Sequence, residues 1–165
     1  MRLVTFDAGR GPEAGVLLEQ EIVPAAALGA PAPSVRGILR ALDAEGLTAL
    51  GREAASCTER LALGGVALLA PVPDAGKVIC LGLNYSDHAA ETGQEIPTAP
   101  MWFAKFANSL IGSGQDIVLP AAHPDYVDYE AELAVVIGRT AHGVQEADAL
   151  SHVAGAMPFL SLIHI

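Results

Sequence analysis

Apolar and polar positions alternate from the first residues of the chain. Arg2–Asp7 (RLVTFD) therefore predicts a strand. Gly9–Pro12 is a turn cluster, and Gly15–Val23 (GVLLEQEIV) reads as a second strand completing a hairpin. An Ala-rich connector over Pro24–Pro33 leads to Ser34, a predicted N-cap for a helix over Val35–Ala44 with Ile38, Leu39 and Leu42 on one face. A further helix is expected within Leu47–Arg60, where Leu50, Ala54 and Cys57 fall at helical spacing. After Val66–Leu69, two prolines and a glycine in Ala70–Gly76 mark the expected domain boundary. Beyond it, the apolar run Lys77–Leu83 (KVICLGL) predicts a buried strand. Asn84 is the expected N-cap of a short helix over Tyr85–Glu91, ended by Gly93 and Pro97. Met101–Phe106 (MWFAKF) and Asp116–Leu119 read as strands, and Val144–Ala154 as a helix with acids early, as the helix dipole prefers. The glycines at 9, 11 and 15 make no dinucleotide fingerprint, since no helix opens there and Pro12 interrupts.

The stretch that matters most is Asp128–Gly138 (DYEAELAVVIG). Leu133–Ile137 reads as a buried strand, yet Asp128, Glu130 and Glu132 precede it at alternate positions. On a strand these three point to one face, while Tyr129, Ala131 and Leu133 point to the other. Carboxylates crowded beside a core raise one another's pKa and lose hydration. A cation relieves both, and hard oxygen donors suit Mg²⁺ or Mn²⁺. An acidic solvent face at a strand end is the competing reading, and the spacing alone does not separate the two.

Composition narrows the classes. At 165 residues the chain has room for one domain, or a small one and part of a second. Hydrophobic residues make up 52%, enough for a core. Charged residues make up 17% with a net charge of −10, which disfavours nucleic acid, whose phosphates demand basic patches. No apolar run is long enough to span a membrane, no basic amphipathic helix suits its surface, and the first residues lack a signal peptide's apolar core. Cys57 and Cys80 are far apart and form no C-x-x-C; they are read as two buried free thiols in a reducing compartment, with the cytoplasm as the expected address.

His88 and Glu91 stand three apart on the predicted helix and share a face. A carboxylate beside an imidazole raises its basicity, the arrangement of a general base; a surface helix contact is the plainer alternative. Lys105 lies among Met, Trp and Phe side chains, either as a snorkelling lysine or as a cation for an acidic substrate or oxyanion. His123 and His142 are read as solvated, and Asp125 as loop chemistry.

Together, Lys77–Glu91 (KVICLGLNYSDHAAE), Pro100–Phe106, Gly112–Pro120 and Asp128–Gly138 resemble, in order and spacing, the N-Y-x-x-H-x-x-E and E-x-E segments of the fumarylacetoacetate hydrolase family. The resemblance implies an α+β, β-rich fold: a β-sandwich roll catalytic domain over residues 71–155, incomplete here, preceded by a small N-terminal α+β domain over 1–70. It implies Mg²⁺ or Mn²⁺ held by three carboxylates, two of them Glu130 and Glu132, with Asp128 in a supporting place. It implies that His88 and Glu91 activate water and that Lys105 lines the pocket. The substrates implied are 2-oxo or 1,3-diketo acids, and the complete protein is expected to be a homodimer.

The chain departs from the family after Gly155, where a strand with Asn-Asp and then Arg-Asp delivers the third carboxylate. Residues 156–165 (AMPFLSLIHI) are read as a non-native tail, the ending resembling sequencing-adapter read-through. The expectation is a metal-dependent C–C hydrolase or lyase for the parent protein and inactivity for this chain. The alternative is a non-catalytic family-derived fragment that serves dimerisation or ligand binding.

Overall fold

Five antiparallel strands form the first sheet of the computed structural model, which describes residues 1–164. They are β1 (Leu3–Asp7), β2 (Pro12–Leu18), β3 (Glu21–Pro24), β4 (Leu61–Ala62) and β5 (Ala67–Leu69), in the order β4-β3-β2-β1-β5. Period-two alternation sorts β2 between the two faces. Ala14 and Val16 point to the side covered by α1 (Val35–Ala41) and α2 (Ala44–Ser56), where they join Val23, Val35, Ile38 and Leu50 in the core. Gly15 faces the other side. A Cβ there would lie 2.6 Å from Ile22 Cγ2 and 3.0 Å from Phe6 Cε1, so the missing side chain is what lets these two buried residues close over the strand.

Both helices start on side-chain caps. Ser34 Oγ accepts from the Gly37 amide at 3.1 Å, as expected, and Asp43 Oδ1 accepts from the Gly46 amide at 2.9 Å. The Asp43 cap explains why α1 stops at Ala41 and α2 begins at Ala44, before the expected Leu47. The expected single strand Gly15–Val23 is instead two strands, β2 and β3. Its Glu-Gln-Glu centre supplies a two-residue turn with Glu19 in the left-handed region (φ 50), pairing Leu18 with Glu21.

The connection out of this sheet is tied down. Thr5 Oγ1 donates to the Pro71 carbonyl at 2.8 Å, and Arg36 Nη1 to that of Asp74 at 2.8 Å. Next come β6 (Val78–Gly82), α3 (Ser86–Glu91) and β7 (Met101–Lys105), with β6 and β7 antiparallel. Leu83, also in the left-handed region (φ 48), turns the chain from β6 towards α3. That turn leaves the expected cap Asn84 one residue early: Tyr85 holds the N-cap place, and no side chain caps the helix. The loop after β7 leans on the first sheet through Gly112, whose Cβ, if it had one, would lie 2.6 Å from Leu69 Cα.

The last pair is β8 (Val127–Ile137) and β9 (Val153–His164), antiparallel along their length with a bulge at Val136/Ile137. Two expectations fail between β7 and β9. Asp116–Leu119 forms no strand: it has no partner to bond, and Val118 is 89% exposed. Val144–Ala154 forms a 3-10 segment over Glu146–His152 and then enters β9, because an α-helix there would bury nothing; Leu150 is 83% exposed. The expected tail over 156–165 supplies most of β9, so the boundary placed at 155 falls inside a strand; Ile165 lies outside the described residues. Among the described residues no helix is long and apolar enough to cross a membrane.

Ile38 is wholly buried between α1 and the sheet. Ile38→Ala is expected to cost about 2–5 kcal/mol of unfolding free energy. A urea midpoint equal to that of the unaltered protein would remove Ile38 from the core.

Candidate active site

The site forms where the β6–β7 pair, with α3 at its end, meets the β8–β9 pair. The pairs Cys80↔Phe103 and Val78↔Lys105 place these four residues on one face of β6–β7. That face is covered around Cys80, which is buried while the neighbouring Ile79 is exposed; Phe103, on the same face, remains 40% exposed. On β8, Glu130 and Glu132 are half-buried on one face, and Tyr129, Leu133, Val135 and Ile137 are exposed on the other. The strand expected to be buried is thus covered on one side only, the carboxylate side.

Direct contacts join the two pairs. Lys105 Nζ donates to the Leu162 carbonyl on β9 at 2.7 Å and stands 5.7 Å from the Phe103 ring centre. The ammonium has three N–H donors, so two remain for other partners. From α3, His88 Nε2 approaches Glu130 Oε1 at 3.7 Å, too long for a hydrogen bond but within reach of an ion pair once the imidazole is protonated. Helix α3 is short, and Ala89, beside the histidine, is its buried anchor.

Electrostatics follow from this crowding. Burial pushes the Glu132 carboxyl up from its ordinary value, Glu130 adds to the rise, and Lys105 opposes it. The Cys80 thiol is raised by burial and then by Glu132, with Lys105 opposing and Glu130 adding. It therefore stays a protonated thiol and is no nucleophile at neutral pH.

Four of the five site residues expected from the sequence thus meet: His88, Lys105, Glu130 and Glu132. Glu91 does not reach them; it is exposed at the end of α3, and the carboxylate facing His88 is Glu130. Asp128 is exposed and its Oδ1 accepts from the Tyr129 amide at 2.8 Å. His142 is exposed, and His123 stacks edge-on against Tyr126 with ring centres 5.6 Å apart. Of the two thiols read as buried, Cys80 is and Cys57 is half-exposed; both are free.

Two residues of the site were not anticipated. Cys80 lines it because strand pairing sets it beside Phe103. Ser161, only 2% exposed, stands opposite Glu130 in the β8–β9 register, and its hydroxyl has no hydrogen-bond partner among the described residues. No local motif marks either; only the register does. A cleft of about 720 Å³ lies elsewhere, lined by Arg2, Leu18, Glu21, Ala55 and Arg60 among others. The Arg60–Glu21 ion pair, at 2.8 Å, neutralises part of its wall.

The donors present suit a hard cation. Two carboxylates share a face, one held partly protonation-prone by its surroundings, with an orphaned buried hydroxyl opposite. Among the described residues no three His, Cys, Asp or Glu side chains converge into a ready cluster.

Comparison with known proteins bears on the same region. The family model of the fumarylacetoacetate (FAA) hydrolase C-terminal region matches residues 77–162. A mitochondrial oxaloacetate tautomerase of Xenopus laevis is 36% identical over 159 residues, covering 94% of this chain and 50% of that protein. One of Homo sapiens is 46% identical over 90 residues, covering 54% of this chain and 28% of that protein. The chain thus spans half or less of the length of these relatives. Among solved structures, maleylpyruvate hydrolase from Sphingobium sp. SYK-6, in complex with manganese(II) ion and pyruvate, matches with a TM-score of 0.78 at 30% identity, covering 99% of this chain and 59% of that one. Fumarylacetoacetate hydrolase from Exiguobacterium antarcticum matches with a TM-score of 0.75 at 25% identity, covering 98% and 56%.

A carboxyl whose native pKa is raised binds its proton more tightly folded than unfolded. It therefore costs stability as pH rises from the unfolded value towards the folded one, and the cost persists above. Glu132→Gln should accordingly raise the melting temperature of the metal-free chain at neutral pH. The gain should vanish below about pH 4, where the native carboxyl is itself protonated. Melting curves in chelator across that range check this, and an equal or lower melting temperature at pH 7 counts against it.

Proposed function

Because the chain belongs to the fumarylacetoacetate hydrolase family and has its β-rich α+β fold, we propose that it carries part of the active site of a divalent-metal-dependent enzyme acting on 2-oxo or 1,3-diketo acids. The observation that carries this reading is the meeting of His88 with Glu130 across α3 and β8, with Glu132 on the same face of β8 and Lys105 of β7 near enough to oppose the rise in its pKa. Oxaloacetate and acylpyruvates are the substrates to try first, since the relatives are an oxaloacetate tautomerase and a maleylpyruvate hydrolase. The reaction is C–C hydrolysis, decarboxylation or tautomerisation, three outcomes that share an enolate.

Glu130 and Glu132 would hold Mg²⁺ or Mn²⁺, which supplies Lewis-acid polarisation of the substrate's 2-oxo carbonyl. His88, half-exposed at the mouth, takes a proton at Nε2 from water or from the substrate carbon beside that carbonyl. Glu130 at 3.7 Å stabilises the imidazolium so formed. Lys105, its ammonium anchored on the Leu162 carbonyl, turns its remaining N–H groups to the substrate carboxylate or the developing oxyanion. Glu91, exposed at the end of α3 and three residues after His88 on the same helix, would orient the imidazole through a change of its own side-chain rotamer. Residues 1–70 act as a small N-terminal domain supporting residues 71–155, and the whole protein works as a homodimer. Free thiols suit a reducing compartment; the cytoplasm expected from the sequence and the mitochondrion named in the relatives both qualify.

The pair of anionic ligands favours a second reading for this chain alone, in which it binds or dimerises without turnover. Mn²⁺-dependent turnover of oxaloacetate by this chain excludes that reading.

Glu130→Ala or Glu132→Ala is expected to abolish Mn²⁺ binding in calorimetry; unchanged affinity would sink the ligand assignment. For the base, His88→Ala should lower turnover by about 10²–10⁴-fold while Mn²⁺ affinity holds. Full activity in that variant removes His88 from the chemistry.

A further inference from the structure

We propose that Phe103 and Met101 form an apolar subsite for the part of the substrate beyond its 2-oxo carbonyl, so that the chain selects 2-oxo acids with an apolar tail over those with a second carboxylate. The inference rests on the assignment of Glu130 and Glu132 as metal ligands and narrows the substrate class of that same site.

The register of β6 with β7 carries it. Three pairs share the site face: Val78 with Lys105, Cys80 with Phe103, and Gly82 with Met101. Residues two apart on a strand are separated by about 6.5 Å, so the face runs as a row from Lys105 past Phe103 to Met101. The row starts at the metal-ligand candidates. Lys105 Nζ stands 5.7 Å from the Phe103 ring centre, and after burial the groups that shift the Cys80 thiol are Glu132, Lys105 and Glu130. Its far end is apolar and open, with Met101 47% exposed. Gly82 shapes that end: a Cβ there would lie 3.2 Å from Met101 Cε and 3.6 Å from Met101 Cβ, so the glycine leaves room for the methionine to lie across β6. Leu83 follows and turns the chain into α3, so the open end adjoins the helix that carries His88 to Glu130. A flexible thioether at this place adapts to tails of different shape.

Charge decides what the tail can be. The lysines and arginines of residues 71–155 are Lys77, Lys105 and Arg139. Lys77 is exposed just before β6, at the end opposite Gly82 and Met101, and Arg139 is exposed beyond the end of β8. Helix α3 and the loop after it bring Asp87, Glu91 and Glu95, all exposed. Among the described residues a second substrate carboxylate at the open end therefore meets acids and a thioether, with no cation to repay its lost hydration. An alkyl or acyl tail instead takes Met101 and Phe103 out of water and is stabilised by that burial.

The test is calorimetry on the full Mn²⁺-loaded chain with pyruvate, 2-oxopentanoate, 2-oxohexanoate and 2-oxoglutarate. Affinity is expected to rise by about two- to fourfold for each methylene between pyruvate and 2-oxohexanoate. The dicarboxylate 2-oxoglutarate, equal in length to 2-oxopentanoate, should bind about tenfold more weakly than it or worse. Met101→Ala should lower the 2-oxohexanoate-to-pyruvate affinity ratio by about threefold or more. Met101→Lys places a cation at the open end and should raise the 2-oxoglutarate-to-2-oxopentanoate ratio by about tenfold. The series on the unaltered chain needs no variant, so a substitution that fails to fold leaves the question decided. If the acids bind only with Mn²⁺ but their affinities ignore the tail, the subsite is overturned and the metal reading stands. The same holds if both ratios ignore residue 101 in folded variants. If no acid of the series shows Mn²⁺-dependent binding, both are overturned.

Discussion

The antiparallel ladder between β8 and β9 is the constraint on which the site depends. It holds eleven consecutive residues of β8 in extended conformation, and extended backbone sends alternate side chains to opposite faces. Glu130 and Glu132 therefore turn inward together, and Tyr129, Leu133 and Ile137 turn outward together. No local preference of a glutamate favours partial burial beside another glutamate. The hydrogen bonds of the ladder, with the partial burial of Phe159 and Met157 on the same face, hold that electrostatic cost in place. A slip of one residue would exchange the faces and dismantle the site.

The rest of the chain positions things relative to that ladder. The first sheet and its two helices contain the best-packed core, with Phe6, Ile22 and Ile38 fully buried. It reaches the site region through Gly112 against Leu68 and Leu69 and through the tied connector at Pro71 and Asp74. Helix α3 is held less firmly: it has six residues, no side-chain cap and a single buried residue. Metal-ligand candidates thus sit on a long paired strand, and the candidate base sits on a short helix. That division suits chemistry in which the cation stays fixed while the base moves with substrate.

Much of this was legible in the sequence, for physical reasons that differ by element. Arg2–Asp7, Met101–Phe106 and the Ser34 cap were readable because each is decided by local pattern, alternation in the strands and side-chain capping in the helix. The alternating acids of β8 were readable too, and only the question of what faces them was open. Short segments failed where tertiary contacts decide. Asp116–Leu119 has strand composition but no neighbour to pair with, and Val144–Ala154 has helical spacing but nothing to pack on. Glu91 was the partner that helical spacing offered for His88, whereas the carboxylate that faces it, Glu130, is brought there by how α3 lies over β8. Ser161 was hidden for a similar reason. It lies in a stretch unlike the family's usual sequence, and its place opposite Glu130 exists only once β9 has been paired.

The hydrogen bond from Lys105 to the Leu162 carbonyl couples two properties that are usually adjusted separately. One amine supplies positive charge beside Glu132 and also clamps β7 to the backbone of β9. Acylating it would remove the charge and two of its N–H donors, and β9 would lose a fastening point in the same event. The electrical balance of the site and the alignment of its two hairpins are therefore a single variable under the control of one side chain. Drift at this position in related sequences would have to be answered by compensating changes in both strands at once.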